Sequence, residues 1–319
     1  MTSFFTSSKT TDAARTLRTR RDSVREMASR LSTSLFILTL IGCTSARPAS
    51  LEHQIERLAR SNGADVAVAY YDSRSGVSFF RNERVVFHAA STMKVPVMLG
   101  LMESVDRGTL RLDQGVLVRN DFVSILDGSR YSLDSKEDSD PTLYESIGSM
   151  LPLEELMRRM IVRSSNLSTN ILIDLIGAPR VMNLMRELGA NDIRVLRGVE
   201  DDKAYHAGMN NVVTAYDLML VLRRIAEGGA ISRAASDSML KILEAQEFNS
   251  GIPAGVPKGT RVAHKTGSIT KISHDAAIIY PADGGSYVLV VLTRGIADGD
   301  KAHHLIAEIS RAIWKSRSK

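Results

Sequence analysis

Beyond residue 50, apolar and polar positions alternate so as to place strands near both ends of the chain and helices between them. In residues 50–61 (SLEHQIERLARS), Leu51, Ile55 and Leu58 share one helical face, and Asn62-Gly63 ends the run. Two strand-like runs follow, 64–72 (ADVAVAYYD) and 76–81 (GVSFFR), joined by the turn-prone Ser73-Arg74-Ser75-Gly76. A third, Val85-Val86-Phe87-His88, leads through Ala90 into an apolar helix over 92–104. Helical spacing returns at about 153–163, 167–176, 179–188, 214–227 and 233–246. Strands recur at 261–266, 275–280 and 286–294, before a last helix, 299–315, with Leu305, Ile306, Ile309 and Ile313 on one face. Between 120 and 150 the chain is polar and irregular, with an acidic stretch over 134–140 before Pro141, and reads as the least structured part of the interior.

A sheet whose strands come from both ends must bring those ends together. This predicts an α/β (α+β) fold: an antiparallel sheet flanked by the N- and C-terminal helices, with an inserted all-α subdomain. The expected domain covers 50–317, its α/β part about 50–90 and 255–317 and its all-α part about 91–254. A cleft is expected where the two meet.

Charge changes the picture little. The first 42 residues hold seven basic and three acidic side chains, so +4 of the net +5 lies there and only +1 in the rest. No basic face remains to suggest a nucleic-acid partner. The basic segment instead precedes an apolar run, Leu35 to Ile41, too short to span a bilayer but suited to the core of a secretory signal. Leu40-Ile41-Gly42-Cys43 resembles a bacterial lipobox, which implies export, lipidation of Cys43 and anchoring to a membrane on the periplasmic side. The plainer alternative is a free cysteine beside an ordinary cleavage site. A start at Met27 would give the leader more usual proportions. Cys43 is the only cysteine, so neither a disulfide framework nor a thiolate metal site is expected.

Four places match Ser-x-x-Lys: Ser91/Lys94, Ser238/Lys241, Ser268/Lys271 and Ser316/Lys319. Context separates them. Ser316 lies in a polar tail, Ser238 inside a helical pattern, and Ser268 in an expected loop after a strand. Ser91 alone stands where a strand run gives way to an apolar helix. There the unpaired amides and positive dipole end favour an oxyanion, and a lysine one turn on can act as base once burial lowers its pKa. Ser164-Ser165-Asn166 offers a second hydroxyl for proton relay and an amide to orient Lys94 and a substrate carbonyl. Taken alone, that segment reads equally well as a helix break and cap. His264-Lys265-Thr266-Gly267 ends an alternating strand; it brings a charge, a hydroxyl and, at Gly267, room for close approach to an extended substrate.

Ser-x-x-Lys, Ser-x-Asn and Lys-Thr-Gly in this order make the chain similar to the class A β-lactamase-like family of penicillin-recognising serine hydrolases, over about residues 50–315. The resemblance implies that Ser91 is acylated, that Lys94 and Ser164 move protons and that Asn166 positions substrate. It also implies that Lys265 and Thr266 hold a substrate carboxylate and that the Ser91 amide is one oxyanion donor. It implies further that deacylation falls to Glu200, 34 positions after Asn166. Otherwise Glu200 belongs to a solvated acidic loop, 200–203.

Three departures bear on deacylation. Ser165 stands where class A usually has aspartate. Ala204 stands where an asparagine is expected four residues after the glutamate, with Asn210 or Asn211 as possible substitutes. The segment from Glu200 to the helix near Thr214 is short. These leave acylation intact and predict slow turnover, or a different amide or ester substrate. The leading expectation is therefore a β-lactam-opening enzyme. The alternatives are a D-alanyl-D-alanine carboxypeptidase acting on cell-wall peptide, or a slow-turnover penicillin-binding sensor. The expected protein is a monomer with no cofactor. His264, His274, His303 and His304 are not spaced as zinc ligands and are expected to be structural or surface residues.

Overall fold

The structure, a computed structural model, describes residues 50–317; the leader, the apolar run 35–41 and Cys43 lie outside the described residues. Helix α1 (Leu51–Ser61) is capped by Ser50, whose hydroxyl accepts from His53 N. Strands β1 (Asp65–Asp72) and β2 (Ser78–Arg81) follow. At the other end come β9 (Arg261–Ile269), β10 (Ile272–Tyr280), β11 (Tyr287–Arg294) and helix α9 (Gly299–Arg317). The sheet runs β2-β1-β11-β10-β9, antiparallel throughout. Its register from Asp65↔Arg294 to Asp72↔Tyr287 joins the two ends of the chain, as the strand pattern requires.

Period-two alternation buries both faces of this sheet. Val66, Val68, Leu289 and Val291 pack beneath α1 and α9 against Ile55, Leu305, Ile306 and Ile309. Ala67, Ala69, Ala276, Ile278, Val288 and Val290 face the larger core.

Between the two strand groups lie the short strands β3 (Phe87–His88), β4 (Gly115–Leu117), β5 (Phe122–Val123), β6 (Arg130–Tyr131), β7 (Met150–Pro152) and β8 (Val212–Val213), paired β3–β8, β4–β7 and β5–β6. The helices of this stretch are α2 (Lys94–Asp106), α3 (Leu153–Val162), α4 (Asn166–Ile176), α5 (Ala178–Glu187), α6 (Asp202–His206), α7 (Ala215–Ala226) and α8 (Arg233–Glu244). α7 lies on the sheet against β1, β10 and β11. α2 is buried without interruption from Lys94 to Ser104, with α3, α4, α5 and α8 around it. Such a helix needs apolar residues on every side, and this one has them from Val95 to Met102; its buried polar residues, Lys94, Glu103 and Ser104, lie toward the two ends.

Three local expectations change. β9 continues to Ile269 and turns through Thr270-Lys271 into β10, so Ser268 sits in a strand rather than a loop. The Ile269↔Ile272 pair extends the hairpin ladder to a two-residue turn, with Lys271 at φ 59°. Residues 200–203 are only partly solvated: Glu200 is half-buried, Asp201 is buried and caps α6 by accepting from Ala204 N, and Asp202 and Lys203 are exposed in the first turn of that helix. Within 134–140, Asp138 and Asp140 are buried, so this stretch is tied into the core.

Candidate active site

Ser91 lies in a 3₁₀ turn, Ala90–Met93, that feeds directly into α2. In such a turn residues i and i+3 eclipse, so Ser91 and Lys94 project to the same side, and Lys94 N donates to Ser91 O. Ala90, at φ 45°, sets up this turn, its N–H donating to His88 Nδ1. Edge strand β9 runs alongside. A Cβ on Gly267 would stand 3.0 Å from both Ser91 N and Thr92 N, so only glycine lets the strand approach this closely.

Ser164, at φ 58°, breaks the chain between α3 and α4 and turns its hydroxyl and carbonyl toward Lys94. Lys94 Nζ donates to Ser164 O (2.6 Å), Ser164 Oγ (3.2 Å) and Asn166 Oδ1 (2.9 Å). From the other side Lys265 Nζ donates to Ser164 Oγ (3.0 Å) and to Thr266 O (2.9 Å). One hydroxyl thus bridges two fully buried amines. Burial pushes Lys94 down to about 7, against the opposing pull of Asp138 and Glu200. Lys265 is pushed well below its ordinary range by burial and then by the charge of Lys94. Two amines of lowered proton affinity, one on each side of the Ser164 hydroxyl, make an arrangement that can relay a proton.

The Asn166 side chain links this pair to Glu200: its Nδ2 donates to Glu200 Oε1 at 2.7 Å while its Oδ1 accepts from Lys94. Glu200 is half-buried at φ 61°, and burial raises its carboxyl above the usual range against the lowering bond from Asn166. Its backbone is held by Asn170, whose Oδ1 accepts from Val199 N (2.6 Å) and whose Nδ2 donates to Val199 O (3.0 Å). Asp201, accepting from Ser124 Oγ and Ile125 N, anchors the next residue. Ala204 is buried in α6; Asn210 accepts from Arg197, and Asn211 bonds the backbone of Leu196 and Arg197. Neither takes the place of the absent amide, because both are turned toward Arg197; the amide on Glu200 belongs to Asn166.

Two lobes of about 350 Å³ each meet at Ser91, Asn166 and Ser268. Glu200, Arg197 and Tyr205 line one; Ser164, Thr266, Gly267 and His303 line the other. Lys94 and Lys265 lie beneath the floor with no exposed surface, reaching the cleft through Ser164 and Asn166. Ser91, Lys94, Ser164, Asn166, Lys265, Thr266, Gly267 and Glu200 are therefore brought into one site. Of the other Ser-x-x-Lys serines, Ser268 lines the cleft from β9, whereas Ser238 Oγ donates to Ala234 O within α8 and Ser316 Oγ to Ile313 O within α9.

His274 is fully buried, pushed down to about 4, and its Nε2 donates to His88 O. His264 is buried against Asp275 and Asn249, while His303 lines the second lobe. Among the described residues no group of three or more His, Cys, Asp or Glu side chains is placed to hold a metal ion. Asn170 and Asp138 were the residues that sequence reading missed. Asn170 follows the Ser-x-Asn motif by one helical turn, a spacing that puts it on the same face as Asn166. Asp138 carried no local signal.

Sheet, inserted helices and a serine–lysine pair at a helix start define a class A-like fold. The sequence profile of the beta-lactamase enzyme family matches residues 50–316, and the chain belongs to that family. Beta-lactamase VEB-1 of Pseudomonas aeruginosa is 21% identical over 291 residues, 85% of this chain and 91% of that protein. The crystal structure of a beta-lactamase from Sphaerobacter thermophilus superposes with a TM-score of 0.72 at 26% identity, covering 84% of this chain and 97% of the other. The structure of PBP-A aligns with the same TM-score at 24% identity, over 85% and 96% of the two chains.

Proposed function

We propose that the protein is a serine β-lactamase that opens β-lactam rings through an acyl-enzyme on Ser91. The observation that carries this reading is the position of Asn166. It bonds Lys94 and Glu200 at once and shares the cleft with Ser91, which supports reading Lys94 as the acylation base and Glu200 as the deacylation base of that serine.

In acylation, neutral Lys94 takes the Ser91 hydroxyl proton as Oγ attacks the lactam carbonyl carbon. The carbonyl oxygen develops charge against the Ser91 amide, with the β9 edge at Ser268 as the source of the second donor. The C–N bond breaks, and the nitrogen receives a proton passed from Lys94 through Ser164. In deacylation, Glu200 takes a proton from water as the water oxygen attacks the acyl carbon, and that proton is returned to Ser91 Oγ as the ester bond breaks. Thr266, backed by Lys265, faces the lobe where a substrate carboxylate would lie. The single amide on Glu200 supports slow deacylation. The same reading has Cys43 lipidated after export and the enzyme held on the periplasmic side of a membrane. Loss of the membrane-bound fraction in Cys43→Ala would support this, and an unchanged distribution would refute it.

The test is stopped-flow and mass spectrometry with a chromogenic cephalosporin. Wild type is expected to form an adduct on Ser91 and release product, with turnover at least about 10⁴-fold lower in Ser91→Ala. A permanent wild-type adduct would point instead to a penicillin-binding peptidase or sensor, and no adduct would remove the β-lactam.

A further inference from the structure

Helix α4 begins at Asn166, and the four N–H groups of its first turn have no partners within the helix. Two are served locally: Ser165 Oγ accepts from Ser168 N at 3.2 Å, and the N–H of the cap residue Ser165 itself donates to Arg159 O at 3.1 Å. The other two are served from outside. Asp138 Oδ1 and Oδ2 each accept from Asn166 N at 3.0 Å, and Oδ2 also accepts from Leu167 N at 2.8 Å. This carboxylate stands 28 residues before the helix in sequence, is 6% exposed, and takes part in none of the ion pairs among the described residues. The arginines nearby are occupied elsewhere: Arg159 and Arg163 pair with Asp140.

The residue whose backbone Asp138 grips is the one whose side chain joins Lys94 to Glu200. We propose that Asp138 is a positioning residue for the reaction: it fixes the Asn166 backbone so that the Asn166 amide spans the two bases, and its charge acts on both. This rests on the hydrolase reading above and deepens it. The groups facing Asp138 are the Tyr144 hydroxyl (3.1 Å), the Ser165 hydroxyl (3.5 Å) and the Asp140 N–H, with Lys94 and Glu200 acting at longer range. Its negative charge favours the Lys94 ammonium and disfavours the Glu200 carboxylate, so it raises both groups.

Asp138→Asn keeps the shape and removes the charge. Acylation and deacylation with a chromogenic cephalosporin are measured separately from pH 5 to 9 on the full chain. Lys94 must be neutral and Glu200 ionised to act as bases, so the acidic limb of each step is expected to move to lower pH. For acylation the expected shift is about half a unit or more. Both steps are also expected to slow by roughly tenfold or more at the optimum, as Asn166 loses its anchor. A loss of melting temperature with both limbs unmoved would make Asp138 a folding cap only and overturn the proposal.

Should the single variant fail to fold, Asp138→Asn/Ser165→Asp returns a carboxylate to the same helix end. Limbs at the wild-type pH support the proposal, and limbs still displaced overturn it. Urea unfolding against pH reads the Lys94 titration with no substrate present. If the wild type fails to turn over a cephalosporin, the hydrolase reading falls while this measurement still decides the role of Asp138.

Discussion

On one side of Ser91 the reacting groups hang from regular elements: Lys94 from the first residue of α2, Lys265 to Gly267 from edge strand β9, and Ser164 from the break between α3 and α4. On the other side Glu200 sits in a connecting segment with φ 61°, held by Asn170 on Val199, by Asn166 on its carboxylate and by Asp201 on Ser124. The first half is fixed by backbone ladders and by burial in the core. The second is fixed by a few side-chain hydrogen bonds, each worth roughly 1 kcal/mol net. Acylation chemistry should therefore tolerate change in its surroundings better than deacylation does. Three of the five non-glycine residues with positive φ among those described, Ala90, Ser164 and Glu200, lie at this site, so backbone strain is concentrated where the two halves meet.

The sharpest way to break this comparison is Glu200→Gln. Steady-state turnover is expected to fall by about 10²–10⁴-fold while the acylation rate stays within about tenfold, so that mass spectrometry finds the acyl-enzyme accumulated. Equal loss in both steps would mean that the two halves act as one.

Gly267→Ala probes the first half. Its new Cβ meets the Ser91 and Thr92 amides, and these are backbone atoms that cannot swing aside. A displacement of a few tenths of an ångström predicts kcat/KM lower by about tenfold, with the fold intact by circular dichroism. Full activity would show that the strand can withdraw from the turn without consequence.

The smallest effect is thermodynamic and belongs to Lys94. Its folded-state pKa of about 7 lies below its ordinary 10.5, so between those values the unfolded chain binds the extra proton. Stability then rises with pH across that window, and the penalty of the buried ammonium is fully present below it. Measured by urea unfolding, wild type is expected to gain on Lys94→Met by up to about 1.4 kcal/mol per pH unit between pH 7 and 9. A pH-independent difference would mean that Lys94 does not titrate there and is not the acylation base.

Much of this molecule follows from local pattern. Period-two alternation defines both faces of the β1–β11 pair, and apolarity on every side of 95–102 marks α2 as the central helix. Ser91 with Lys94, Ser164 with Asn166, and Lys265 with Gly267 are legible because each set lies within four residues of chain, where short spacing keeps the side chains close whatever the rest of the fold does. Other features depend on contacts between segments distant in sequence. The acidic stretch 134–140 has the composition of a solvated loop, yet Asp138 is buried because α4 presents it with unpaired N–H groups. Asn170 grips Val199 across 29 positions, and Asn166, not Asn210 or Asn211, supplies the amide on Glu200. Short-range steric and hydrophobic periodicity thus determined the elements and the motif residues. The partners of Glu200, Lys94 and Asn166 were decided by tertiary structure, because a buried polar group bonds whatever the fold brings within reach and its neighbours in sequence do not reveal which group that is.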